Sequence, residues 1–181
     1  MQEPLKTLKE DNSFEVFINR IATGSINLPP DDLDPEFLER VDLAQPAKED
    51  DDHPAPKGNR AALTRASRYL GKSSVTKRAL IKANYLCEYD SSHITFINET
   101  SGQNYVEGHH LIPLSFEDNF EHSIDISQNI VALCPNCHRK IHNASFTVKS
   151  EMIEKFLSDR IEILKKRSVV VLQEDLIGYY N

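Results

Sequence analysis

The sequence predicts an α+β fold in which helices flank a few short strands. Three observations lead there. Apolar residues recur at helical spacing along Ile153, Phe156, Leu157, Ile161 and Leu164, which predicts a helix over about 150–166. Strand-like runs occur at Ile94-Thr-Phe-Ile-Asn98, from Tyr105-Val106 onward and at Asn129-Ile-Val-Ala-Leu133, the first two joined by the turn-forming Thr100-Ser-Gly-Gln103. Between Cys87 and His142, around these strand-like runs, lie all three cysteines and six of the seven histidines.

The other elements follow in chain order. Residues 1–45 form a small helical N-terminal segment. Phe14, Phe17, Ile18 and Ile21 share one helical face, and Asp34-Pro35 opens a second short helix, because Asp caps and Pro suits the first helical position. Residues 46–58 are acidic, Pro-rich and almost without bulky apolar side chains, so they are expected to be a linker. Residues 59–181 then form the main domain. A basic helix over Asn59–Leu70 ends at Gly71, a second is capped by Ser73 or Ser74 and runs to about Leu86, and a further helix starts within Cys134–His138.

The bulk composition is that of a soluble globular protein, with 39% hydrophobic and 27% charged residues. No apolar run is long enough for a transmembrane helix and the N-terminus lacks a signal-peptide layout, so an intracellular, cytoplasmic protein is expected. A net charge of −7 argues against a nucleic-acid partner only until its distribution is considered. Residues 1–52 hold fourteen Asp/Glu against five Lys/Arg, whereas 53–87 hold no acid and eight bases. Lys57, Arg60, Arg65, Arg68, Lys72, Lys77, Arg78 and Lys82 could follow a phosphate backbone whatever the global sum. A solvated helical face is the plainer alternative.

The cysteines point to a metal. Cys134-x-x-Cys137 is too tightly spaced for an ordinary disulfide, and a C-x-x-C pair can grip zinc from one turn. Cys87 is the only other thiol. The fourth ligand is expected to be His93, with Asp90 a weaker candidate because carboxylates are uncommon in structural zinc sites. The histidines suggest a second centre. His109 and His110 are adjacent on a strand, so their side chains diverge, and one can face a metal while the other faces water or substrate. His138 and His142 are spaced i, i+4 on a helix and can hold one ion together. His53 and His122 lie outside this frame and are given no role.

The run Tyr105-Val-Glu-Gly-His-His-Leu-Ile-Pro-Leu114, followed by Asn129 and then Cys134-Pro-Asn-Cys-His-Arg-Lys-Ile-His142, resembles the HNH endonuclease motif. It is similar in particular to zinc-stapled HNH domains of bacterial restriction and phage-defence proteins, McrA-like ones included. The likeness covers about 85–145. It implies a ββα-metal finger stapled by a structural zinc and flanked by helices. It also implies that His110 is the general base, with Asn129 orienting its ring. On the same resemblance His109, His138 and His142 hold a catalytic divalent metal (Mg2+, Mn2+, Ni2+ or Zn2+), in the manner of colicin-type nucleases. The first C-x-x-C of the family pattern is reduced here to Cys87 alone.

The expected activity is hydrolysis of DNA phosphodiester bonds, in a bacterial restriction or antiviral defence setting. The partners expected are DNA, contacted by Arg60, Arg65, Arg68, Lys72, Lys77, Arg78 and Lys82, and either a second copy of the chain or a defence-system protein. The main competitor is a non-catalytic zinc-stabilised module that binds nucleic acid through the same basic helices. A toxin nuclease domain is a third reading, for which residues 1–58 are short as a delivery region. The acidic N-terminal segment is either a recognition or partner-docking element or a cover for the basic helices.

Overall fold

The computed structural model describes residues 35–48, 52–58 and 71–180. The helix expected around Phe14–Ile21 and the basic helix expected over Asn59–Leu70 lie outside the described residues, and so do Arg60, Arg65 and Arg68. In order come α1 (Pro35–Leu43), α2 (Ser73–Lys82), β1 (Glu107–His110), β2 (Ile130–Leu133), α3 (Pro135–Asn143), α4 (Phe146–Lys166) and α5 (Gln173–Gly178). Short 3-10 turns at Leu114–Asn119 and Ser127–Asn129 punctuate the long connection between the strands. Among the described residues no helix is long and apolar enough to cross a membrane.

β1 and β2 pair antiparallel, with Glu107 opposite Leu133 and His110 opposite Ile130, and α3 follows β2 directly. This is a ββα unit. Successive side chains on a strand point to opposite faces, so the four residues of β1 split into two pairs. Glu107 and His109 share the face that α3 and α4 cover. Gly108 and His110 share the face that α2 covers. On that second face Ile130 packs with Val75 and Ala79 of α2, and Ala132 packs with Leu80, Val106, and Phe37 and Val41 of α1.

The larger core lies on the first face. α4 buries Met152, Ile153, Phe156, Leu157 and Leu164, spaced so that one helical stripe meets Leu111, Ile112, Val131, Leu133 and Ile141. Each such side chain contributes about 1.5–3 kcal/mol by leaving water. The helix starts at Phe146, one turn earlier than the periodicity predicts, because its first turn is only partly covered and carries little apolar signal. α2 differs at both ends. Lys72, not a serine, occupies its N-cap with no side-chain bond, and the helix stops at Lys82. There Asn84 and Tyr85 turn left-handed, at φ 52° and 53°, and the Tyr85 N–H closes back onto the Leu80 carbonyl.

The strand expectation over 94–106 needs correction. Ile97 and Asn104 form an isolated bridge, and the turn between them is held by Asn98. No regular strand forms there, because the Thr95 hydroxyl and N–H both bond the Asn104 side chain and Ile94, Phe96 and Ile97 remain exposed. The paired strand begins two residues later, at Glu107, and its partner is β2.

Gly108 allows α2 to approach the sheet. A Cβ at this position would lie 2.4 Å from Thr76 Cγ2 and 3.1 Å from Ile130 Cγ2. Gly108→Ala is therefore expected to lower stability by about 1–3 kcal/mol, the ordinary cost of overpacking. Urea denaturation measures it, and an unchanged midpoint would show that α2 can slide away at no cost.

Candidate metal centres and active site

Cys134 is the N-cap of α3, with Pro135 at the first helical position, and its Sγ accepts from the Cys137 N–H at 3.4 Å. The C-x-x-C spacing thus places both sulfurs at one helix N-terminus, where the helix dipole favours negative charge. Cys87, fully buried, arrives from the segment after α2, and its neighbour Glu88 is tied to β2 through the Ala132 N–H and carbonyl. His93 turns its Nδ1 to within 3.4 Å of Cys137 Sγ and 3.8 Å of Cys134 Sγ. The ligand atoms of Cys87, His93, Cys134 and Cys137 all lie within 4.8 Å of one another and could hold a metal ion. Around a tetrahedral ion at ordinary zinc distances a sulfur and a nitrogen ligand stand about 3.6 Å apart, so the donor set fits. Asp90 is not in this group. It stands outside, 3.5 Å from the other nitrogen of His93, its carboxyl held below the usual range mainly by the Ser92 hydroxyl and N–H. Burial and crowding by the other sulfurs push the Cys137 thiol well up. Cys87 moves the other way, because backbone N–H groups and His93 together outweigh its burial. A cation among the sulfurs would favour the thiolate at every one of them.

The second cluster joins β1 to α3. His109 Nδ1 lies 3.2 Å from His138 Nε2, and the His142 ring lies 4.8 Å from that of His109 and 5.0 Å from that of His138, centroid to centroid. The ligand atoms of the three again fall within 4.8 Å. Two imidazole nitrogens bound to one tetrahedral zinc ion stand about 3.3 Å apart, so this donor set also fits a divalent ion. Glu107, two residues before His109 and on the same strand face, accepts from His138 Nδ1 at 2.9 Å. Tyr105 donates its hydroxyl to the other oxygen of Glu107 at 3.1 Å. Burial, with the Glu107 charge beside it, pushes the Tyr105 phenol well up, so it stays a donor.

His110 occupies the opposite face. Its Nε2 stands 3.3 Å from Asp125 Oδ1, and both side chains are 3% exposed. Burial alone would raise the Asp125 carboxyl, but bonds from His110 and the Lys72 N–H, with the Lys72 charge, hold it below its usual value. Gly71, at φ +69°, presses on the same pair, and a Cβ there would lie 2.9 Å from the His110 ring. Asn129 does not bond the His110 ring. Its Oδ1 accepts from the Ile112 N–H, and its Nδ2 donates to the carbonyls of Ile112 and Ile124, at 2.8–2.9 Å. Its own carbonyl takes the Leu111 N–H at 2.8 Å. Asn129 therefore clasps the chain just after His110 and positions that residue through the backbone.

The expected basic stripe is only partly open in the described residues. Lys77 is buried and donates to the Asp42 carbonyl at 3.2 Å, and Arg78 donates to the Ala47 carbonyl at 3.2 Å. Lys77 holds the last turn of α1, and Arg78 the stretch after it, against α2. Lys82 reaches Ser127, and Lys72 is exposed beside Asp125. Four residues that touch the histidine sites were given no role from the sequence: Tyr105, Glu107, Asp125 and Tyr180, whose hydroxyl lies 2.8 Å from His109 Nε2. Strand alternation could have found Glu107, because it shares a face with His109. Nothing local marks Asp125 or Tyr180, which reach the site from a loop and from beyond α5.

A ββα finger with a cysteine-rich group at its helix N-terminus and three histidines at the strand–helix seam is the arrangement of an HNH-type metal finger. Residues 87–144 match the HNH endonuclease family, and the chain carries an HNH domain over that span. A relative from Escherichia coli K12, the type IV methyl-directed restriction enzyme EcoKMcrA, is 29% identical over 133 residues. The match covers 72% of this chain and 44% of that enzyme, so the chain spans less than half the length of its relative.

Cys137→Ser should release the ion of the cysteine cluster and detach Cys87 from α3. At this length each kcal/mol lost moves Tm by about 2–4 °C, so a fall of about 10 °C or more is expected. Metal analysis beside a thermal melt checks it. A variant that loses its ion with no change in Tm would show that the cluster is not structural.

Proposed function

We propose that the chain is a metal-dependent HNH endonuclease that hydrolyses DNA phosphodiester bonds to leave 5′-phosphate ends. The observation that carries this reading is the gathering of His109, His138 and His142 at the β1–α3 seam, within the residues that match the family. In this reading zinc is the ion of the cysteine cluster, and the three histidines hold a divalent ion. When bound, that ion supplies Lewis-acid stabilisation of charge on the phosphate and the leaving oxygen.

The protein's own groups would act as follows. Asp125 can only accept, so His110 Nε2 carries the hydrogen between them and Nδ1 is the basic atom of the ring. Nδ1 takes a proton from water, the water oxygen bonds to phosphorus, and the bond to the 3′ oxygen breaks. The 3′ oxygen takes a proton from solvent. Asn129 keeps the backbone after His110 in place, and Asp125 keeps the ring turned. Lys72 and Lys82, with Arg60, Arg65 and Arg68, would meet the phosphate backbone. Lys77 and Arg78 are better read as structural.

The division into 1–45, 46–58 and 59–181, cytoplasmic location, a role in restriction or antiviral defence, and a homodimer or partner protein belong to the same proposal. The methyl-directed relative makes methylated DNA the first substrate to try. A non-catalytic, zinc-stabilised nucleic-acid-binding module has one observation in its favour: His110 is buried, against Gly71, rather than open to solvent.

The test is cleavage of methylated and unmethylated plasmid with Mg2+, Mn2+, Ni2+ or Zn2+ added. His110→Ala should lower the rate by about 10²–10⁴-fold while DNA binding persists. Equal cleavage by wild type and variant would sink the assignment. Binding without cleavage by wild type, with every ion, would establish the non-catalytic module.

A further inference from the structure

Tyr180 lies outside the residues that match the family and outside every motif in the sequence, yet its hydroxyl is 2.8 Å from His109 Nε2. The same oxygen is 2.8 Å from the Leu111 carbonyl and 3.3 Å from the His110 carbonyl. A carbonyl can only accept, so the single hydroxyl hydrogen is committed to the Leu111 and His110 carbonyls. What Tyr180 offers His109 is a lone pair. His109 must then carry its hydrogen on Nε2, which leaves the Nδ1 lone pair directed at His138 Nε2, 3.2 Å away.

The same reasoning applies to His138. Glu107 accepts from its Nδ1–H, so its lone pair lies on Nε2. Two lone pairs thus face each other across 3.2 Å, an arrangement that repels unless a cation lies between them. If Tyr180 were not there, His109 could place its hydrogen on Nδ1, bond His138 directly and close the gap.

We propose that Tyr180 is a positioning residue for the three-histidine metal centre, fixing His109 as the Nε2–H tautomer so that the Nδ1 lone pair is turned toward the ion. It pairs with Glu107, which does the same for His138. The placement of Tyr180 is well supported. Leu176 of α5 is fully buried in the main core, Tyr179 stacks on Phe116 with ring centroids 3.8 Å apart, and Lys149 Nζ donates to the Tyr180 carbonyl at 2.8 Å. The stretch after α4 is thereby part of the metal centre, although all three ligands come from β1 and α3.

This inference rests on the reading of His109, His138 and His142 as metal ligands, but not on nuclease activity. Its test is Ni2+ affinity, measured by competition with a chelator on protein whose cysteine cluster already holds its ion. Tyr180→Phe removes only the hydroxyl and should weaken Ni2+ binding by about 10–100-fold, the usual effect of losing such a partner. Tyr179→Phe, which keeps the stack on Phe116, should leave it unchanged. Unchanged affinity in a folded Tyr180→Phe would overturn the proposal. Nitrogen-15 NMR of the histidine rings, before Ni2+ is added, tests wild type alone. Nε2–H at His109 is expected, and Nδ1–H there would overturn the proposal even if the variant did not fold. No Ni2+ binding by wild type, with His109 as Nε2–H, would remove the metal centre itself and this inference with it. Binding as expected beside inactive wild type would leave this inference standing and defeat the nuclease reading.

Discussion

α3 has nine residues, fewer than the roughly 12–15 an isolated helix needs in water, and both candidate centres use it. Cys134 and Cys137 sit at its first turn, His138 and His142 on the turns that follow. The helix is held by its tertiary contacts: Cys87 and His93 at its N-terminus, the core around its own Ile141, and Glu107 and His109 on the strand it faces. Any loosening at the cysteine end rotates the histidines, because one rigid element carries both. A structural ion at the first group is thus linked to the geometry of the second.

The strand facing α3 works by a different rule. Its two-residue period sends Glu107 and His109 to one face and Gly108 and His110 to the other. Two adjacent histidines thereby acquire different surroundings. His109 lies among other imidazoles, a carboxylate-held ring and a phenol. His110 lies against a carboxylate and the backbone of Gly71. The difference is one of hydrogen-bond partners and not of residue type. In the assignments proposed above both rings carry their hydrogen on Nε2, His109 against Tyr180 and His110 against Asp125, so that Nδ1 of each faces its own side of the sheet. Asn129 ties the two strands' connection to this seam without touching either ring.

Much of this was legible in the chain. C-x-x-C followed by H-x-x-x-H is a local pattern, and helical geometry converts it into positions without knowledge of the rest of the fold. The adjacent pair His109–His110 is local in the same way, because divergence follows from the pleat. The strand expected at Ile94–Asn98 went astray for a related reason. β propensity reports a surface fit to be half-buried, and no core covers Ile94, Phe96 and Ile97. Lys77 and Arg78 read as exposed bases by composition, yet they donate to backbone carbonyls of residues more than thirty positions away.

By itself the sequence determined that an α+β metal finger is present, that its thiols and imidazoles fall into two groups, and which residues of α3 belong to each. These follow from spacing along one element, where the distance between side chains is set by 3.6 or 2 residues per repeat. Only the tertiary structure decided that His93 and not Asp90 joins the cysteines, that Asn129 clasps backbone instead of a ring, and that Asp125 and Tyr180 face His110 and His109. These are contacts between segments as far as 71 positions apart, and no local period carries that information. They are set by how α2, the strand connection and the stretch after α4 pack onto the sheet.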